Sequence, residues 1–481
     1  MKTKKHILVQ SGVACCTFIS FLSCANTGYK EKESRPNILI ILADQWRYDA
    51  VGYMDNPDVK TPNIDRMASE GIVFSNAISG IPVSTPARAS ILTGQRPLTN
   101  GVFMNDVQLD TNAVSLAEAI KENNYRTAYI GKWHLDGQGR SAFIPQGGRR
   151  QGFDYWKVLE CTHSYNHSLY YADTPDTLVW EGYDAFAQSE DAARYIKEHA
   201  KGEDPFLLFL SWGPPHDPYH TAPEEYRNLY SPDSITLRPN VPAEHERRAR
   251  NQIAGYYAHC TALDEMVGKL RQTLVEAGIE EETIVLFFSD HGDLLGSQGG
   301  YNKQQPYDES IRIPMVFYIP EKLGGRTANL DALINLEDVM PTLLGLSGAN
   351  IPSQVEGIDY SAYLKGGENP GDTVTMITSV MPYGQWHRGR GGKEFRGLRS
   401  TRYTYVKDLD GPWLFFDNKN DPYQMDNLVD NPAYSDLINS FDQLLSDKLA
   451  SQGDQFLPGM EYVKKWNYPE LDETGTVPFV W

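Results

Sequence analysis

Four apolar runs in this chain each end in a cluster of polar, chemically active side chains: "NILIILADQ" from Asn37, "RTAYIGKWHL" from Arg126, "PFLLFLSWGPPHDPY" from Pro205 and "TIVLFFSDHGD" from Thr283. A run so uniformly apolar cannot be a strand with one wet face. It needs cover on both sides, as inner strands of a parallel sheet have. Helical patterns separate the runs: "TPNIDRMASEG", "SLAEAIKENN", "AFAQSEDAARYIKEHA", most of His245–Gly278 and "LEDVMPTLLGLSG". "IVFSNA" and "IPMVFYIP" read as two further strands. Alternating strands and helices predict an α/β fold with a large mixed, mostly parallel sheet sandwiched by helices. Ligands of such sheets bind beyond the carboxyl ends of the strands, so the polar clusters are expected to converge there. Past Gly366 the pattern changes. "TVTMITSVM", "FRGLRSTRYTYVKD" and "WLFFDNKND" pair around tight turns and precede helical "SDLINSFDQLLSDKLA", which predicts a small C-terminal antiparallel sheet plus helix subdomain over 366–481.

The N-terminus reads as a leader. Lys2, Lys4 and Lys5 precede an apolar stretch from about Ile7 to Leu22, too short for a membrane span, and small residues with Cys24 close it. Residues 1–24 are therefore expected to be an export signal of lipoprotein type, with Cys24 as the lipid-anchor candidate. That expectation places the chain in the periplasm or as an outer-membrane lipoprotein of a Gram-negative bacterium. Cys161 and Cys260 fit either a disulfide in an exported protein or two buried thiols. The net charge of -19 argues against a nucleic-acid partner. An anionic substrate would need a local positive pocket in this acidic chain.

Candidate residues for such a pocket stand at the strand ends and in "PVSTPARASILTG". Ser84 lies two residues before Pro86 and four before Arg88, at the start of a helical run. It reads either as a nucleophile held against an oxyanion site or as an ordinary N-cap. Asp44, Gln45, Asp290 and His291 offer carboxylate and amide oxygens plus one imidazole, a set that suits a hard divalent cation such as calcium. Lys132, His134, His216 and Lys303, with Ser84 and Arg88, supply what sulfuryl or phosphoryl transfer needs: cations for nonbridging oxygens, a nucleophile and a proton donor.

Taken in order, these motifs resemble a type I sulfatase of the alkaline phosphatase superfamily. The resemblance runs from "PNILIILADQ" through "STPARASILTG", "GKWHLDG", "PPHDPY" and "SDHGDLLG" to "LFFDNKNDPYQMDNL". It implies a sulfatase catalytic domain over 35–365 and hydrolysis of sulfate esters, with an O-sulfate on a glycan sugar as the expected substrate. It also implies that Ser84 is oxidised to formylglycine by a maturing enzyme of the bacterial radical type. Calcium would then be bound by Asp44, Gln45, Asp290, His291 and residue 84. Arg88 and Lys132 would stabilise the formylglycine oxygens, and His134 would hold its hydrate. His216 and Lys303 would bind the sulfate and leaving oxygen, with His216 as general acid. Gln45 and His291 depart from the Asp and Asn common at these places, which keeps a phosphodiesterase or phosphonate monoester hydrolase as the alternative. A non-catalytic sulfated-glycan binding protein is a second one. Candidate selectivity residues are His163 and His167, with Tyr165 and Asn166 between them, and Trp386, His387, Arg388 and Arg390; both loops read equally as ordinary polar connections.

Overall fold

The computed structural model describes residues 35–478, so the leader and Cys24 lie outside the described residues. The strands, in chain order, are β1 Asn37–Asp44, β2 Ile72–Ile78, β3 Arg126–Lys132, β4 Tyr155–Leu159, β5 Leu169–Tyr170, β6 Leu178–Val179, β7 Phe206–Pro215, β8 Thr283–Ser289, β9 Met315–Tyr318, β10 Ala328–Asn335, β11 Val374–Ser379, β12 Phe395–Ser400, β13 Tyr403–Asp408 and β14 Gly411–Asp417. Eight of them form the large sheet in the order β10-β2-β9-β8-β1-β7-β3-β4. Only β9 runs against its neighbours, β2 and β8. The sheet is thus mixed and mostly parallel, as the unbroken apolar runs require.

The central strand β1 shows why both faces must be covered. Ile38, Ile40 and Leu42 enter one core, against helices Ser84–Thr93, Leu116–Lys121 and Val339–Ser347. Leu39, Ile41 and Ala43 enter the other, against helices Pro62–Glu70, Asp184–His199 and Glu246–Ala277. Each fully buried Leu or Ile contributes about 1.5–3 kcal/mol. Local signals set the helix ends. Ser115 and Glu118 form a reciprocal capping box at the start of Leu116–Lys121. Gly278, at φ 72°, closes Glu246–Ala277.

The four-stranded sheet β11-β12-β13-β14 is antiparallel throughout. One face sets Ile377, Phe395, Val406 and Phe416 on Ile78, Ile311 and Leu333 of the large unit. The other packs Leu398, Tyr405 and Phe415 under Ile438, Phe441 and Leu445 of helix Ser435–Gln452. The described residues, 35–478, cluster as one compact unit, so this subdomain is built onto the main core. Two strands of the large sheet escape the sequence patterns, β4, only five residues long, and β10, whose first half is polar and half-exposed, as does the two-residue pair β5 and β6. Among the described residues, no helix is long and apolar enough to cross a membrane. Cys161 and Cys260 are both buried free thiols.

The loop after β7 is anchored from below by His259. Its Nδ1 meets the Tyr183 hydroxyl at 2.6 Å, and its Nε2 lies 3.4 Å from the Pro218 carbonyl oxygen. Burial holds this ring near pKa 3, against an ordinary 6.5. Above 6.5 both folded and unfolded chains carry it neutral. Between 6.5 and about 3 only the unfolded chain binds the proton, so stability falls as pH falls, by about 1.4 kcal/mol per pH unit from this residue. Urea unfolding of His259→Gln between about pH 6 and 4 is expected to show a slope lower by that amount. An unchanged slope contradicts the assignment.

Candidate active site

Five strands bring the chemistry to one place, the carboxyl edge of the large sheet. β1 delivers Asp44 and Gln45, β3 delivers Lys132 and His134, β7 leads into His216, and β8 leads into Asp290 and His291. The turn after β2 leads into Ser84, and the loop after β8 carries Lys303. Gln45 and His134 sit at φ 67° and 61°, a left-handed conformation that costs a side-chain-bearing residue about 1–3 kcal/mol. Gly131, at φ 104°, lets β3 approach β7 closely: a Cβ there would lie 2.0 Å from the Ser211 carbonyl oxygen.

Ser84 is the first residue of its helix, and the N-cap is Val83, which makes no side-chain cap. The N-cap reading of Ser84 is therefore replaced: its hydroxyl is turned into the site. Ser84 Oγ lies 3.0 Å from His291 Nε2, 3.2 Å from Lys303 Nζ and 3.5 Å from Asp44 Oδ1. His291 Nδ1 donates to the Gly292 carbonyl at 2.9 Å, which leaves Nε2 as an acceptor or metal ligand.

The charges balance inside the site. Arg88 donates to Asp44 Oδ2 at 3.0 Å, pairs with Asp290 Oδ2 at 3.3 Å, and holds Ser211 Oγ and the Lys132 carbonyl. Lys132 also pairs with Asp44. Burial alone would raise the Asp44 pKa, but Lys132, Lys303 and Arg88 outweigh it and hold the carboxyl well below the usual range. Asp290 is pushed up to about 6 by burial and then by Asp44. Burial lowers Lys303 from the ordinary lysine value.

The residues present fit a cation. Ligand atoms of Asp44, Asp290 and His291 lie within 4.8 Å of one another. One more oxygen points to the same use: Gln45 Oε1 is buried without a hydrogen-bond partner. A buried acceptor left unmet costs about 1–3 kcal/mol, which a hard cation would offset. The site also suits an oxygen-bearing modification of residue 84, because Lys303 and the His291 imidazole already flank its Oγ.

His134 is oriented by residues the sequence patterns did not single out. Its Nε2 lies 3.3 Å from Asp106, whose carboxylate is gripped at 2.9 Å by both Nε and an Nη of Arg140. Burial and then Lys132 hold the His134 pKa down to about 3, and its Nδ1 has no partner. Glu160 fixes the turn by accepting the N–H groups of Leu135, Asp136 and Gly137. His216 donates from Nδ1 to the Asp217 carbonyl at 2.9 Å. Burial and then Lys303 hold its ring well below the usual histidine range, so it is neutral before substrate arrives. As an acid it needs the negative charge of the substrate to raise that pKa.

Of the selectivity candidates, the structure brings His163 to the site, its ring stacked on His216 at 4.9 Å and 9°. Tyr165 and Asn166 lash that loop to the His216 loop through the Asp217 and Thr221 carbonyls. His167 is exposed, and its backbone bonds only locally to Ser164. Trp386 is a core residue rather than a sugar platform: it is 8% exposed, packed edge-on to Phe395 and stacked on Trp413. Arg388 is paired to Glu394, and Arg390 is exposed. His387 and Arg388 line a separate cavity of about 630 Å³ with Lys464, Tyr468 and Asp472, and Ser84 and its neighbours do not line it.

Comparison with known proteins agrees with this architecture. Residues 36–349 match the family model described as Sulfatase, and 296–451 match the one described as N-sulphoglucosamine sulphohydrolase, C-terminal. The chain is 43% identical over 476 residues to an ulvan-active sulfatase of Formosa agariphila, covering 97% of this chain and 92% of that protein. It is 29% identical to an endo-4-O-sulfatase of Bacteroides thetaiotaomicron, over 83% and 89% of the two chains. The crystal structure of yidJ from Bacteroides fragilis superposes with a TM-score of 0.81 at 32% identity, covering 90% of this chain and 99% of that one.

The Arg88 arrangement has a stability consequence. Arg88→Met leaves Asp44 and Asp290 facing each other with one fewer cation, and removing one partner of a buried ion pair costs about 3–5 kcal/mol. Urea unfolding in the presence of a chelator is expected to show that loss. Wild-type stability in the variant contradicts the charge assignment.

Proposed function

Because this chain belongs to the sulfatase family and is a sulfuric ester hydrolase, we propose that it removes sulfate from a sugar of a glycan, using residue 84 as formylglycine and a calcium ion. The observation that carries this reading is the convergence of five strand ends on Ser84 Oγ, with His291, Lys303 and Asp44 against it and the ligand atoms of Asp44, Asp290 and His291 within 4.8 Å of one another. Carbohydrate as the substrate class is supported by the relatives, an ulvan-active sulfatase at 43% identity and an endo-4-O-sulfatase at 29%. The basic start, apolar stretch and Cys24 support export, to the periplasm or to the outer membrane as a lipoprotein of a Gram-negative bacterium. A serine at position 84 supports a maturing enzyme of the radical type as a processing partner.

Formylglycine at residue 84, once hydrated by water to a gem-diol, would supply two hydroxyls, one as the nucleophile toward sulfur and one to help release sulfate. Asp44, Gln45, Asp290, His291 and residue 84 would hold calcium, which would supply Lewis acidity toward sulfate oxygens. The remaining work falls to the chain. Lys303 sets a positive charge where the sulfate must sit, and Lys132 and Arg88 keep Asp44 ionised. The neutral His134 presents an unpartnered Nδ1 as proton acceptor, its ring fixed by Asp106. His216, its pKa raised by the arriving anion, takes a proton from solvent and hands it to the leaving sugar oxygen. His163 stacks on the face of that ring and limits its rotation.

Ser84→Ala is expected to lower release of sulfate from a sulfated polysaccharide by at least about 10³-fold, with the melting temperature unchanged. Substantial residual turnover removes residue 84 from the chemistry. Phosphodiester and phosphonate esters assayed in parallel are expected to react far more slowly than the sulfate ester, and the reverse order favours the phosphonate alternative.

Removal of calcium by chelation is expected to suppress activity reversibly, and Asp290→Ala to suppress it beyond rescue by added calcium. A verified metal-free protein with full activity contradicts the calcium assignment.

A further inference from the structure

The sequence departs from the common sulfatase pattern at position 45, and the residues around Gln45 explain how an amide works there. Its Nε2 donates to Asp293 Oδ2 at 2.7 Å and lies 3.3 Å from the Tyr219 hydroxyl oxygen. Tyr219 in turn donates its own proton to Asp293 Oδ2. Both neighbours therefore show the amide only acceptor lone pairs. A flipped amide would set Oε1 against two oxygens and leave Nε2 in the place where Oε1 has no partner. Asp293 is itself pinned, its Oδ1 taking the N–H groups of Leu295 at 3.0 Å and Asn302 at 2.9 Å. The Gln45 backbone is pinned as well: its N–H donates to Asp290 Oδ1 at 3.0 Å, and its carbonyl accepts from Tyr256 at 2.7 Å. Gln45 and Asp293 are fully buried, and the one polar atom of the Gln45 side chain left without a partner is Oε1.

We propose that Asp293 and Tyr219 are positioning residues that lock the Gln45 amide with Oε1 toward the cation, and that Asp293 makes an amide the fitting ligand at position 45. This rests on the calcium reading above. The lock acts in both directions. It aims the neutral oxygen at the metal, and it disfavours a carboxylate at position 45, which would face Asp293 Oδ2 with no proton between them. Groups that orient a metal ligand typically change metal affinity by about 10–100-fold when altered.

The test uses the protein with Ser84 unmodified, stripped of metal and titrated with calcium by calorimetry, so that activity plays no part. In Asp293→Asn, the side-chain oxygen keeps the Leu295 and Asn302 N–H groups, which turns the new NH₂ toward Gln45 and forces the amide to flip. Calcium affinity is expected to fall by about 10–100-fold. Adding Gln45→Glu to that variant gives a side chain that accepts from Asn at 293 with one oxygen and offers the other to calcium, so most of the affinity returns. Tyr219→Phe removes one of the two acceptors and is expected to give a smaller loss, and it serves as the second reading if Asp293→Asn loses its native circular dichroism. Wild-type affinity in both single variants overturns the lock, as does a double variant no better than Asp293→Asn. Absence of calcium binding in the wild type overturns the calcium reading and the lock together, so the two failures are distinct.

Discussion

Everything in this site depends on holding Asp44 and Asp290 together, both fully buried. Two buried carboxylates repel, and the fold answers with Arg88 between them, Lys132 on Asp44 and Lys303 nearby. The result is a positive lining in a chain whose formal charge is -19. That contrast is what an anion-processing site in an acidic protein requires: the cations are not on the surface, where salt would screen them, but inside, where screening is weak. Hydrolysis of a sulfate ester is compatible with the same arrangement, because Lys303 adds a positive charge 3.2 Å from Ser84 Oγ while Arg88 and Lys132 hold the carboxylates.

The parallel sheet makes this economical in chain length. Each inner strand ends at the same edge, so a residue one or two positions past the strand reaches the centre without a long loop. Arg88 links the layers: it rises from the helix after β2 and reaches Ser211 of β7 and the Lys132 carbonyl of β3. The C-terminal subdomain adds Gln424, which meets the Asp308 N–H, and Arg399, which pairs with Asp308; both steady the segment that follows Lys303.

The sheet, its helices and the carboxyl-edge residues were legible in the sequence because each is a local signal: an apolar run, then a polar residue with a distinctive chemistry. The orienting residues were not. Asp293 and Tyr219 reach Gln45 across 248 and 174 residues of chain, and Asp106 reaches His134 from a loop with no motif of its own. Asp293 sits in "SDHGDLLG", where an acid after a glycine reads as a turn residue. Ser84 was ambiguous for a related reason: a serine before a helix is usually a cap, and only its contacts with His291 and Lys303 distinguish the two uses. Trp386 misled in the opposite sense. Its glycine- and arginine-rich neighbourhood reads as an exposed loop, yet Phe395 and Trp413 draw the ring inward. β10 hid because its polar half faces outward at the sheet edge.

The central claim is that residue 84 is the reacting group and is converted before it reacts. The most direct measurement is the mass of the peptide spanning Pro82–Arg88, taken from active protein purified from its native host. The account predicts a peptide lighter than the encoded one by two hydrogens, together with its hydrate. Fully active protein in which that peptide carries unmodified serine would contradict it.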